Sequence, residues 1–436
     1  MPRTFRRRCL LVALCVAAFA NADVAVFAQP DKQSGAVQSS HSETVTLDRA
    51  VALACQYNYQ LCVSREEIPR TEKLIAAART EAFPQFRVLA LPGQELTDPG
   101  KGNLLFFGLA SQPLTQLYRV GIGINVERLQ RNMARQTVRL RLQQAVNSVK
   151  ITYYSILERE DAIKSVEEQI KYLTELTHVV EGLVVTGAAL DVDLLEVRAR
   201  SASTQFELED LRDALATDKD QLNHLMGRDP RIAVSVVAVP SIMQSDEEMS
   251  AAESQAIKQR PELQEQQILV RKILQQRKYE LSKYIPDISA AFTSIETKNL
   301  DITFPRNYLA FGAFVNYDLW DWGKKIDLAD ADSIQAREER LNLSDLIDRV
   351  LIDVRDKCRK MHLARQRLEV ATIQREAAKE RLRVDTRRLQ VGATLLSQVL
   401  ESQAALAKAN LQYSDATLAL WSARSELDRA IGRDII

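Results

Sequence analysis

Val185-Thr-Gly-Ala-Ala-Leu190 is answered 205 residues later by Gln390-Val-Gly-Ala-Thr-Leu395. At the same offset, Leu225-Met-Gly-Arg-Asp229 is answered by Ala430-Ile-Gly-Arg-Asp434. Nearer the N-terminus, Asn58-Tyr-Gln-Leu61 and Arg260-Pro-Glu-Leu263 stand 202 apart, and each Leu is followed 23 residues later by a proline, Pro84 or Pro286. Similarity over so long a period predicts one large supersecondary unit made twice. The first copy covers 46–229, the second 250–434, and 230–249 links them.

Each copy begins with an amphipathic segment, 46–84 or 250–286, expected to be one helix of about 37 residues at ordinary helical geometry. Thr46 is a suitable N-cap, and Asp48 suits the first turn. Proline then forces a change of conformation. The period falls to two, which predicts a pair of strands per copy: about 85–92 with 119–127, and 287–296 with 309–319. Val120, Ile122, Ile124 and Val126 share one face of the second strand; Leu309, Phe311, Ala313 and Val315 share one face of the fourth. The stretches 93–117 and 297–307, with Pro92-Gly93, Asp98-Pro99-Gly100 and Pro305, are expected as turns. Between the second strands of the two copies the offset falls to 191, which reads as a difference in loop length.

Long helices follow, about 127–186 and 324–391. Leu142, Val146, Val149, Tyr153 and Ile156 keep a 4-3-4-3 spacing, and so do Ile347, Leu351, Val354, Cys358 and Met361; such a seam packs as a coiled coil. Gly187 and Gly392 are expected to end these helices, and last helices cover 190–226 and 395–431. The fold class read from this order is mainly α with a small antiparallel β part.

Composition narrows the function. The 58 basic and 58 acidic residues of the 436 cancel, which argues against nucleic acid as a partner. Residues 1–28 read as a signal peptide: Arg3, Arg6, Arg7 and Arg8, then an apolar run, then small-residue cleavage sites near 22 and 28. Leu14 before Cys15 argues against a lipoprotein signal. Residues 29–45 read as a flexible leader. Cys55, Cys62 and Cys358 form no disulfide framework, since Cys55 and Cys62 lie roughly 10 Å apart along one helix. Beyond the signal region no apolar run is long enough for a membrane helix. Amphipathic strands leave a membrane barrel open, but four strands are too few to close one. Backbone edges cannot face lipid, so several chains are expected to contribute.

Thr46-Leu-Asp-x-Ala-Val-Ala-Leu-Ala54, Ala82-Phe-Pro84 and Gly187-Ala-Ala-Leu-Asp-Val-Asp-Leu-Leu-Glu196, in this order and with their second copies, resemble the TolC-like outer membrane efflux proteins. The resemblance implies a homotrimer whose twelve-stranded transmembrane β-barrel continues into a periplasmic α-helical barrel of two tandem repeats per chain. It implies outer membrane lipid around the barrel, no cofactor or enzyme activity, and partnership with a periplasmic adaptor protein and an inner-membrane transporter. Cargo would leave through a tripartite efflux pump or a type I secretion system. By the same resemblance, Gly187, Ala188, Asp191, Gly392, Ala393 and Thr394 are the adaptor-docking tips. Gln398 and Glu401 stand where the family member with the best-known constriction has two gating carboxylates, with Asp193 and Glu196 at the matching positions of the first copy. Trp320 and Trp322 would close the fourth strand at the membrane interface.

Two other readings exist. A periplasmic coiled-coil adaptor or scaffold would share the helical hairpins without a membrane barrel. The Glu175-x-x-His178 pair has the spacing of a di-iron ligand set, but His41, His224 and His362 supply no second pair, and no metal site is expected.

Overall fold

The computed structural model describes residues 43–94, 102–186, 190–238, 248–298, 307–391 and 393–433. The signal peptide, the leader before residue 43, the turns at Asp98-Pro99-Gly100 and Pro305, and most of the linker lie outside them. Two halves repeat one order of elements. The first holds α1 (Leu47–Tyr57), α2 (Tyr59–Thr80), β2 (Gln85–Gln94), β3 (Gly102–Pro113), α3 (Gln116–Val185) and α4 (Asp191–Leu225). The second holds α5 (Met249–Gln259), α6 (Pro261–Ser282), β5 (Asp287–Lys298), β6 (Asn307–Asn316), α7 (Lys324–Gln390) and α8 (Leu396–Ile431). Two short strands, β1 (Glu43–Val45) and β4 (Val234–Val236), complete the set. The chain is thus mainly helical with a small sheet, as its periodicity implies.

The 70 residues of α3 and 67 of α7 extend about 100 Å each. Every other long helix leans on these two. Toward the sheet the helices stand in the row α2–α3–α6–α7; toward the opposite end the row is α4–α3–α8–α7. The seam residues Val149, Tyr153 and Ile156 are buried in one core with Ala50, Ala54, Leu222 and Met226, and Val146 of the same seam is buried too. Val354, Ala256, Leu427 and Ile431 occupy the matching places in a second core.

Four expectations are corrected. The stretch 119–127 is helix, the start of α3, and the second strand is Gly102–Pro113. Leu104 to Leu109 is apolar at every position except Gly108, so alternation is hidden there. In Arg119–Glu127 the glycines at 121 and 123 imitate it. Tertiary contacts decide the outcome: Thr115 Oγ1 donates to Pro286 O at 2.6 Å and accepts from the Ile288 amide at 2.9 Å. One turn on, Arg119 pairs with Asp287 at 2.8 Å. With β3 placed correctly, the strand connections are 95–101 and 299–306, and the difference in loop length shrinks to one residue. Pro92 and Gly93 belong to β2 rather than to a turn.

The 37-residue first helices are each broken. Asn58 separates α1 from α2, and Arg260 separates α5 from α6. Asn58 accepts from the Leu61 amide at 3.2 Å and donates to Leu225 O at 2.9 Å. Arg260 donates through Nε to Ala430 O at 2.7 Å and pairs with Asp353. Leu225 and Ala430 are themselves 205 apart. Each break therefore places a polar side chain on the orphan carbonyls at the end of a last helix.

The end of the leader is not free. Glu43–Val45 pairs in parallel with Val234–Val236, and the buried Tyr153 hydroxyl clasps both, donating to Val237 O at 2.7 Å and accepting from the Val237 amide at 2.9 Å, with Val45 O at 3.0 Å. Tyr153→Phe should cost about 1–2 kcal/mol, the usual penalty for unmatched polar groups at a partly buried site. A melting temperature unchanged in detergent, with no faster amide exchange at Val237, would contradict this.

The fourth correction concerns the tryptophans. β6 ends at Asn316, so Trp320 and Trp322 lie in the connector to α7 and do not close the strand. Both are exposed and meet edge to face at 5.7 Å. The connector is tightened by Asp321, which accepts from the Gly323 and Lys325 amides.

The sheet is antiparallel in the order β2-β3-β5-β6. Directly opposed residues share a face, which places Phe86, Val88, Phe292, Leu309, Phe311 and Val315 together, all exposed. β2 and β6 each pair on one side only among the described residues.

Candidate functional site at the helical tips

α3 turns into α4, and α7 into α8, at the end of the molecule remote from the sheet. Gly187, Ala188 and Gly392 lie outside the described residues. Around them stand exposed apolar side chains: Val185, Leu190, Val192 and Leu195 at one tip, Val391 and Leu395 at the other. The turn residues did not announce these from sequence; the signal is apolar residues where a helix begins and ends in solvent.

The four gate candidates separate into two kinds. Asp193 accepts the Leu190 amide at 2.9 Å and so caps the start of α4. Gln398 occupies the same turn of α8; its Oε1 accepts from Thr394 Oγ1 at 2.6 Å. Asp193 is thus held by a capping contact and Gln398 by a local side-chain bond. Glu196 and Glu401, one turn on, are exposed. Asp191 is an exposed acid in the first turn of α4, where the helix dipole favours it. Ala393 donates its amide to Arg388 O at 2.8 Å and so ends α7. Next to Glu401, Ser402 donates to the buried carboxylate of Asp385. Above the first tip, Arg198 bonds Glu181 at 2.9 Å and holds that carboxyl below the usual range.

Glu175 and His178 are exposed on α3, and His178 meets Glu181 at 3.4 Å. No group of three His, Cys, Asp or Glu placed to hold a metal occurs among the described residues. No described helix is long and apolar enough to cross a membrane.

The model of the family described as "Outer membrane efflux protein" matches residues 50–228 and again 253–433. The chain belongs to the outer membrane efflux protein family. Its place is accordingly the outer membrane, with a helical extension in the periplasm. The fold is shared with solved members at low identity. The Campylobacter jejuni CmeC outer membrane channel matches with a TM-score of 0.77 at 12% identity, over 88% of this chain and 85% of that one. The Vibrio cholerae outer membrane protein VceC gives 0.74 at 14%, over 88% and 96%. The open-state MtrE outer membrane channel of Neisseria gonorrhoeae gives 0.74 at 13%, over 88% of each chain. An uncharacterized protein of Haemophilus influenzae is 25% identical over 209 residues, 45% of this chain and 44% of that relative's length. Membership of an efflux family leaves the periplasmic adaptor reading without support.

Proposed function

We propose that this efflux protein is the channel subunit of a tripartite efflux pump or type I secretion system, and that three copies close into one conduit. The observation that carries this reading is the sheet. Its outer strands β2 and β6 pair on one side only among the described residues, and it has an exposed apolar face. Lipid offers no hydrogen bonds to such edges. Three copies would supply twelve strands, enough for a closed barrel with a lumen. The tandem structural repeats would give each copy two similar wall segments.

A second feature supports assembly. On α7, Ile334, Leu341, Ile352, Leu363, Val370 and Val384 are all exposed. Steps of 7 and 11 residues return to the same side of a helix, so Ile334 to Val370 form one stripe along the edge of the row. A neighbouring copy is its natural cover.

The exposed apolar tips support docking of a periplasmic adaptor, which would connect the conduit to an inner-membrane transporter. Glu401 and Glu196 are the carboxylates available to line the opening; Asp193 serves mainly as a cap, and Gln398 is tied to Thr394. Purified protein reconstituted in a planar bilayer should give discrete channels and run at the mass of a trimer. Soluble, monomeric behaviour without conductance would end the proposal. Within it, Glu401→Ala should raise conductance or change block by cations, while Gln398→Ala should alter neither beyond a small loss of helix stability. Identical currents from Glu401→Ala and the parent would remove Glu401 from the gate.

A further inference from the structure

We propose that each copy carries a binding site for an organic cation, an amine or quaternary ammonium on an aromatic body, in a cleft between α2, α3 and α6 with Glu265 as its counter-charge. This rests on the channel reading above and names a class of cargo for it.

The cleft holds about 560 Å³, within the usual range for small-molecule sites. Tyr59 and Val63 of α2, with Met133 and Ala134 of α3, form its apolar wall. Glu265 of α6 enters this wall half-buried and accepts from Thr137 Oγ1 at 3.2 Å. It makes no ion pair among the described residues. The cations nearby are engaged elsewhere. Lys272, two turns along α6, bonds Gln130 at 2.8 Å. Arg141 closes the cleft toward the tips, but its guanidinium donates to Gln144 at 3.0 Å. Gln144 lines a second, polar compartment of about 260 Å³ together with Gln221 and His224. The other acid of the cleft, Glu67, is paired with Arg70 at 2.7 Å.

Glu265 is therefore the uncompensated charge of the larger compartment. One turn away, Oε2 of Glu262 is buried without a hydrogen-bond partner and adds negative potential. Burial first, and Glu262 after it, raise the Glu265 carboxyl above its usual value. A cation that brings its own apolar body relieves that cost and fills the wall. The exposed ring of Tyr59 gives it a second attraction.

The cleft opens toward the bore. Gln144 lies nine residues from Tyr153, and Thr137 sixteen, roughly half a turn round α3 in each case. Tyr153 carries the β1–β4 pair, so that pair and the cleft occupy opposite faces of α3. Three such pairs would fill a bore; they belong outside, and the three clefts inside at one height.

The test uses rhodamine 6G, a fluorescent aromatic cation, with the protein in nanodiscs and the signal of empty nanodiscs subtracted. Anisotropy should show one saturable site per subunit, and fluorescein, an anion of similar frame, should bind at least tenfold more weakly. Glu265→Gln should weaken the dye at least tenfold. So should Gln60→Arg, which sets a cation on the rim at an exposed position and disturbs no buried packing. Protein that forms channels in bilayers but binds no dye saturably overturns the site and leaves the channel standing. Equal affinity of the parent and both variants does the same, and fluorescein bound as tightly as rhodamine 6G overturns the ligand class. Saturable binding that both variants lose, in protein that forms no channels, would keep the site and end the channel reading.

Discussion

Gly227→Ala should prevent the chain from reaching its folded form. Gly227 has φ of +70°, and a Cβ there would lie 2.2 Å from Tyr57 O and 2.7 Å from Tyr57 C. The left-handed conformation alone costs an L-residue about 1–2 kcal/mol. The overlap is with backbone, so it cannot be relieved by turning a side chain. The break between α1 and α2 would have to move, and with it the Asn58 contact to Leu225. An effect of about 4 kcal/mol or more is expected, the range kept for a few severe mechanisms. Gly432 holds the corresponding place with φ of +81°, but its nearest neighbours are 3.1 Å away. Gly432→Ala should therefore be milder, about 1–3 kcal/mol from backbone strain plus a small shift. Gly312→Ala, with nothing within 4 Å, is the control. Yield of folded protein in the outer membrane and thermal stability in detergent give the comparison. Equal behaviour of Gly227→Ala and Gly312→Ala would show that the close approach has no consequence.

The second large effect concerns the stripe on α7. Leu341 and Ile352 are 72% and 64% exposed in the single chain. Exposed residues contribute little to the protomer's own stability, so Leu341→Asp with Ile352→Asp should leave helix content intact. If the stripe is covered by a second copy, two aliphatic side chains lost from each joint remove about 3 kcal/mol or more of burial, over a hundredfold in association per joint. Sedimentation or native mass in detergent should then find monomers, and bilayers should show no channels. Leu341→Met with Ile352→Leu should retain the oligomer. A charged double variant that still sediments as a trimer would place the subunit joint elsewhere.

The residues differ in how openly they declare the fold. The seam from Leu142 to Ile156 could be read directly, because a 4-3 spacing kept along the whole seam matches one face of a helix and no face of a strand. Leu309 to Val315 could be read as a strand because one of its faces is uniformly apolar. β3 was hidden because its run from Leu104 to Leu109 is apolar on both sides. The breaks at Asn58 and Arg260 were visible only in part: Pro261 favours the first turn of a new helix and Asn58 is a good N-cap type, but such residues also occur within continuous helices, and the contacts to Leu225 and Ala430 that fix the breaks come from far along the chain. At the tips, the sequence could not separate Asp193 from Glu196. Which carboxylate caps a helix and which stays available depends on one hydrogen bond to the Leu190 amide. The exposed edge of α7 was also illegible in advance, since the same residues would read as core in a larger bundle.

The helix breaks at Asn58 and Arg260 bear on how such a protein can change length. Everything between the breaks and the tips consists of two hairpins, α3 with α4 and α7 with α8, whose seams must stay in phase. An insertion in one limb alone would put the seams out of phase and detach Leu225 from Asn58. Only whole heptads, added to all four limbs at once, keep every contact, and each such step lengthens the limbs by about 10 Å. The length of the helical limbs is therefore expected to vary in discrete increments, with the sheet end left untouched.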